Sequence, residues 1–223
     1  MIHNHQENIK YIIAKESWYK DRHQITKPDT LLYTASTDEL KMISGLSAAS
    51  DVLAIVEIPQ YDLETNHLRN KLTIALDQVR DPGNLGTIIR IANWYGIENV
   101  ICSEHTVDCY NPKVVQASMG SILNVKIHYK NLPEILREIQ KQKIVPVFGS
   151  SIKGDAVNQN VLPENALLVF GNESRGISEE IEHFTDVQLS IPSNYKTLPP
   201  IDSLNVSVAV AIFCHEFRRN RSL

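Results

Sequence analysis

Cysteine is scarce in this chain: Cys102, Cys109 and Cys214 are the only three among 223 residues. None forms a CxxC pair, and an odd number at unrelated spacings gives neither a disulfide framework nor a zinc site. No metal is expected on this basis. Runs of about 18 apolar residues, the length that spans a bilayer, are also missing. The opening stretch, MIHNHQENIKYIIAKESWYK, lacks the apolar core of about seven residues that a secretory signal needs. A cytoplasmic protein is therefore expected. There is no surplus of positive charge: 22 Lys and Arg face 26 Asp and Glu, a formal net charge of −4. No global field would draw in a polyanion, so a nucleic-acid partner would need local positive charge or two subunits facing one groove. The GxGxxG and GxxxxGK[ST] phosphate-binding patterns are absent too, which demotes dinucleotide enzymes and P-loop NTPases.

Hydrophobic residues make up 43% of the chain, enough for a sizeable core. Residues 1 to about 30 are polar and weakly periodic. LLYTA, from Leu31, and VLAIVEI, from Val52, read as strands flanking a helix, with Ser36 and Glu39 at capping-box spacing. The polar stretch 59–70 marks a boundary, giving expected domains of 1–67 and 68–223. Beyond it strands and helices alternate. LTIALDQV, NVICSE, VKIHY, IVPVFGSS, ALLVFGN and VQLSIP are apolar strand candidates, with helices predicted over 86–96, 112–121, 133–142, 178–184 and 204–219. This alternation predicts an α/β fold with a mostly parallel sheet covered by helices on both faces. In the first helix Ile88, Ile91, Ala92 and Tyr95 form one buried stripe, leaving Arg90 off it and Gly96 as the closing residue. The last helix is apolar nearly all round, which suggests the sheet on one side and a second subunit on the other.

Open α/β sheets bind ligands at the carboxyl ends of their strands, and three such ends carry unusual residues. In LDQVRDPGNLGTIIR, Pro82-Gly83 reads as a turn and Asn84 as a helix cap, with Arg90 six residues on. In LLVFGNESRGIS, a strand runs into Gly171-Asn172-Glu173 and then Arg175-Gly176, where glycines would let main-chain groups touch a ligand. In LSIPSNYKTLPPIDSLNVSVAVAIF, Ser203 is placed to cap the apolar helix, whose N-terminus is a natural seat for an anion. Each alone reads at least as well as an ordinary turn, loop or cap.

Together NxGxxxR, GNExxG and IP…SLNVSVA, in this order and joined by YNPKVVQASMG, resemble the SpoU (TrmH) family of RNA ribose methyltransferases. The resemblance runs from about Thr73 to Arg219. It implies a C-terminal trefoil knot, a homodimer, and transfer of a methyl group from S-adenosylmethionine to a ribose 2′-hydroxyl of RNA. The donor would lie against main chain around Gly171, Ile191 and Leu204, with Gly149, Asn172 and Gly176 nearby. The catalytic positions would be Asn84, Arg90, Glu173, Ser203 and Asn205. The family's motif arginine is often assigned as base, but a guanidinium does not deprotonate in proteins. Arg90 is instead expected to grip a phosphate and stabilise the developing alkoxide, with Ser203 on the same phosphate.

The segment from about Leu31 to Ile58 resembles the second half of the L30e-like RNA-binding domain that many relatives carry in front. Such a reduced module favours ribosomal over transfer RNA as the partner. Gln116 stands where relatives commonly have arginine, and the loop from Pro192 to Ser203 is longer than usual. The altered loop leaves one rival reading, a dimeric RNA-binding relative without turnover; a second, with the motifs as coincidental turns, is a flavodoxin-like or nucleotide-binding α/β protein.

Overall fold

A computed structural model describes residues 9–20, 30–44, 50–172, 174–193 and 203–219. The chain divides into two compact units, 1–60 and 61–223. Among the described residues no helix is long and apolar enough to cross a membrane.

The first unit has strands β1 (Ile9–Ala14), β2 (Leu31–Thr34) and β3 (Val52–Val56), with helices α1 (Glu16–Lys20) and α2 (Thr37–Ser44). Its sheet runs β2-β1-β3, with β1 parallel to β2 and antiparallel to β3. The central strand lies inside the stretch that sequence alone leaves as weakly periodic. IKYIIA is too short for a clear alternation, and an irregularity between Ile9 and Tyr11 breaks its register. Ile12 and Ala14 are buried, with Trp18 and Tyr19 packed on them. The capping box forms as its spacing predicts: Ser36 N–H donates to Glu39 Oε2 at 2.8 Å, and Glu39 N–H to Ser36 Oγ at 3.3 Å.

The second unit carries β4 (Leu72–Leu76), β5 (Asn99–Cys102), β6 (Lys126–Tyr129), β7 (Val147–Ala156), β8 (Ala166–Phe170) and β9 (Val187–Ser190). The order is β6-β5-β4-β8-β7-β9, and every pairing is parallel. Its helices are α3 (Pro82–Trp94), α4 (Pro112–Ala117), α5 (Leu132–Gln142), α6 (Glu179–Glu182) and α7 (Val206–Arg218). Strand alternation sends Leu72, Ile74 and Leu76 of β4 into one core with α3, α4 and α7. Ala75 faces a second core with α5 and α6. Helices thus cover both faces, as the continuous apolar strands require. Residues after Gln60 go with this unit: Thr65 Oγ1 donates to Glu138 Oε1 on α5 at 2.7 Å.

Two helix starts differ from their expected places. Pro82 and Gly83 are the first helical residues of α3 rather than a turn, because proline already has a helical φ and has no N–H to leave unpaired. The cap is Asp81, whose side chain accepts the N–H of Asn84, so Asn84 sits inside the first turn. Likewise Asn205, not Ser203, caps α7, accepting from Ser207 and Val208. The other end of α3 is as expected. Gly96 has φ +64°, Gly96 N–H donates to Asn93 O, and Ile97 N–H donates to Ala92 O, a complete Schellman closure. Met119 (φ +50°) and Gly120 (φ +85°) end α4 sooner than expected.

Helices α3 and α4 approach closely at Gly86. A Cβ there would lie 2.5 Å from Ala117 Cβ and 2.6 Å from Val114 O. Gly86→Ala should therefore force the helices apart and cost about 1–3 kcal/mol, read as a lower urea midpoint with an unchanged slope; unchanged stability would show that the contact is soft.

Candidate active site

The carboxyl end of β4 is where the sequence motifs meet. The ladder extends one residue past the strand, with Asp77 N–H donating to Phe170 O at 2.8 Å. Gln78 then turns left-handed at φ +56°, and its N–H donates to Ser103 Oγ at 2.8 Å. Left-handed backbone is costly for a non-glycine residue, and here the hydrogen bonds on both sides of the turn hold it.

The loop after β8 folds back on itself. Asn172 and Gly176 exchange main-chain hydrogen bonds at 3.0 and 2.8 Å, and Ser174 N–H donates to Asn172 Oδ1 at 2.9 Å. This buckle explains Gly171: a Cβ there would stand 1.9 Å from the Gly176 carbonyl carbon. The close approach that the glycine permits is thus made by its own loop. Gly149 on β7 is similar, since a Cβ would meet Thr185 Cγ2 at 2.8 Å. Asn172 Nδ2 donates to Gln78 O at 2.9 Å, and Ser178 N–H donates to Asp77 Oδ2 at 2.8 Å. Sequence reasoning passed over Asp77 and Gln78; the available signal was a charged residue directly after the apolar strand LTIAL.

The third motif joins the first through one contact. Asn205 Nδ2 donates to Asn84 Oδ1 at 2.9 Å, across 121 residues of sequence. Asn205 Oδ1 meanwhile accepts from Ser207 N–H at 3.0 Å, Ser207 Oγ at 2.7 Å and Val208 N–H at 3.4 Å. A single amide therefore caps α7 and docks it on the first turn of α3. Ser203 and Leu204 precede that cap and are exposed. Arg90 is exposed on α3, and its side chain has no hydrogen bond or ion pair among the described residues. Glu173 and most of the loop from Pro192 to Ser203 lie outside the described residues.

Fit for an adenosyl ligand can be judged from main-chain supply. β8, β7 and β9 are neighbours, so Gly149, Gly171 and Ile191 lie on adjacent strands or just past their ends. The main-chain groups of Gly171, Ile191 and Leu204 make no hydrogen bonds among the described residues, and Gly171 is buried. Buried main-chain groups are normally paired, so a ligand rich in donors and acceptors suits this edge. Two cavities elsewhere hold no motif residue: one is lined by Asp62, Lys71, Asn99 and Lys126, the other by Ile139, Lys143, Pro146 and Asp186. Both open at the opposite, amino-terminal edge of the sheet. Nor do the described residues hold any His/Cys/Asp/Glu cluster suited to a metal.

The three thiols play no part at this edge. Burial pushes Cys109 up to about 11 and Cys214 up to about 12. All three stay as neutral core side chains.

A six-stranded parallel sheet with a self-folded glycine loop and two helix starts meeting at its carboxyl edge defines an α/β protein with a candidate site at its strand ends. The chain matches the SpoU rRNA Methylase family over residues 71–215 and belongs to that family of methyltransferases. It is 30% identical over 212 residues to 23S rRNA (guanosine(2553)-2′-O)-methyltransferase RlmP of Bacillus subtilis, covering 92% of this chain and 81% of that protein. A TrmH-family structure from Porphyromonas gingivalis superposes with TM-score 0.84 at 32% identity, covering 96% of this chain and 84% of that one. An rRNA methyltransferase from Sinorhizobium meliloti with bound AdoMet superposes with TM-score 0.79 at 26% identity, covering 95% and 80%.

The double duty of Asn205 separates by substitution. Asn205→Ser keeps a capping oxygen and should stay within about 0.5 kcal/mol of wild type, whereas Asn205→Ala should lose about 1 kcal/mol. Neither side chain reaches Asn84. Equal urea midpoints for the two variants would show that the cap contributes nothing.

Proposed function

We propose that this protein transfers a methyl group from S-adenosylmethionine to a ribose 2′-hydroxyl of ribosomal RNA. The observation that carries the reading is the Asn205–Asn84 hydrogen bond at 2.9 Å. With the Asn172–Gln78 bond at 2.9 Å, it gathers three motifs far apart in sequence at one sheet edge. Ribosomal RNA is favoured because the match to a 23S rRNA enzyme spans 92% of the chain, the first unit included. That unit, with its small mixed sheet, is assigned as a reduced L30e-like RNA-binding module.

When bound, the donor supplies an electrophilic sulfonium methyl. Main chain at Gly149, Gly171, Asn172, Gly176, Ile191 and Leu204 is assigned to hold it. Arg90 is assigned to a substrate phosphate: it is exposed and has no acidic partner among the described residues. A planar fork over the reacting ribose stabilises developing negative charge on the hydroxyl oxygen while its proton passes to solvent water, which lowers the barrier without a side-chain base. Ser203 lies one residue from Leu204 and is assigned to the same phosphate. Glu173 is retained as a catalytic candidate on the resemblance alone. Asn84 and Asn205 position the start of α7.

A homodimer and a C-terminal knot complete the reading. On α7, Val210, Phe213, Cys214 and Phe217 face the core, while Val208 stays 47% exposed, as does Leu204 just before the helix. Trp94, on the adjoining helix α3, is 84% exposed. An apolar surface of this kind marks an interaction site, and a second copy is the occupant proposed. The knot is supported by connectivity: the chain leaves β9 at the edge of the sheet and is next described beside the start of α3, which follows the central strand β4.

Two experiments test the reading. With labelled donor and unmodified 23S rRNA, the wild type should give a single 2′-O-methylated nucleotide. Arg90→Lys should cut transfer about 100-fold or more at unchanged donor affinity, since lysine cannot make the bidentate grip. Near-full activity in that variant would remove the phosphate role. Val208→Asp should sediment as a monomer; if it remains dimeric, the proposed interface is wrong.

A further inference from the structure

The two feet of the glycine buckle are tied to two consecutive residues. Asn172 Nδ2 donates to the Gln78 carbonyl at 2.9 Å, and Ser178 N–H donates to Asp77 Oδ2 at 2.8 Å. Between the feet, the loop closes through the reciprocal Asn172–Gly176 bridge and the contact of Gly171 with the Gly176 main chain. Asp77 is only 4% exposed, and a buried carboxylate is retained only where it is hydrogen-bonded. Its partner lies 101 residues away in sequence and is a main-chain N–H, so substitution at position 178 preserves it in all cases but proline.

Gln78 completes the device. Its left-handed φ of +56° turns the main chain at the end of β4, and Ser103 Oγ accepts its N–H at 2.8 Å. Ser103 is itself placed at the end of β5, where its N–H donates to Leu76 O at 2.9 Å. The anchor is therefore fixed by the sheet rather than by the loop that it holds.

We propose that Asp77 and Gln78 form a two-point tether that sets the positions of Gly171, Asn172 and Gly176–Ser178, and with them the main-chain groups offered to the methyl donor. Asp77 is a positioning residue: it acts through Ser178 and touches no ligand. The donor part rests on the methyltransferase reading above; the tether does not.

Arg175 provides a probe that needs neither donor nor RNA. It is exposed within the buckle, flanked by the Asn172–Gly176 bridge. In the full-length protein a tethered buckle should resist trypsin, and the fragment ending at Arg175 should be slow to appear by mass spectrometry. In Asp77→Ala, with its far-UV circular dichroism unchanged, that fragment should appear about tenfold faster or more, because cleavage tracks local opening. Asp77→Asn keeps an oxygen for the Ser178 N–H and should restore protection. Should Asp77→Ala not fold, Ser178→Pro removes the donor instead, at a residue whose φ of −66° already suits proline. A folded Asp77→Ala, or a folded Ser178→Pro, with wild-type protection at Arg175 would overturn the tether.

Calorimetry with S-adenosylhomocysteine reads the donor part. Affinity should fall about tenfold or more in Asp77→Ala and recover in Asp77→Asn. An opened buckle with wild-type affinity would reduce Asp77 to a local brace and overturn its positioning role. If the wild type itself binds no S-adenosylhomocysteine, the methyltransferase reading and the donor part fail, and the trypsin result still decides the tether.

Discussion

Parallel strands end abruptly. Where β4 stops, its neighbours offer only a few more main-chain partners, and the remaining groups at its carboxyl end must be satisfied by something else. In this protein the last ladder bond is made by Phe170 O of β8, which takes the Asp77 N–H, and the side chain of Ser103 takes over with its Oγ accepting the Gln78 N–H. Thr106 Oγ1 shares Leu76 O with the Ser103 N–H. β4 lies at the centre of the sheet, between β5 and β8, so each of these bonds draws a neighbouring loop inward. The need to close one strand end thereby assembles the whole edge. Asn205 extends the same logic to α7, since the bond to Asn84 seats the start of the last helix against the first turn of α3.

Local rules made much of this legible. The six apolar runs of the second unit became its six strands, because parallel strands buried on both faces must be continuously apolar. Ser36 with Glu39, and Gly96 at the end of α3, are local signatures, and both form as written. Helix starts were less legible. Asn84, Asp81 and Pro82 all suit a helix N-terminus, and only geometry shows that aspartate caps, proline leads and asparagine is released for another partner. β1 was missed because six residues with a register irregularity give too little period to read.

The site itself was legible only through resemblance. Nothing within fifteen residues of Asn84 announces Asn205, and hydrophobic patterning does not encode a bond across 121 positions. Asp77 and Gln78 escaped for the opposite reason. They look like the ordinary polar end of a strand, and their role depends on which loop arrives beside them. An acidic chain proposed to act on RNA raises a related question, and the surface bears on it. Lys10, Lys15, Lys20, Lys71 and Arg219 are each paired with a carboxylate. Exposed pairs of this kind contribute little to stability, but they leave the surface around them close to neutral. Arg90 and Arg175, both within the motifs, have no acidic partner among the described residues. These two exposed arginines are local positive charge that a polyanion could meet at the motifs.

A ligand edge built from main chain also bears on how far such sequences drift apart. Any residue supplies an N–H and a carbonyl, so donor contacts made by the backbone constrain residue type weakly. What constrains it is space and tethering. Gly171 admits no side chain, because the Gly176 carbonyl carbon already lies 1.9 Å from where a Cβ would be. Asn172 needs an amide long enough to reach Gln78 O, and Asn205 needs an oxygen and an N–H pointing opposite ways. Those few positions suffice to bring the loops into register. Such constraints leave most surface positions free to change, which fits 30% identity to a 23S rRNA enzyme over 212 residues.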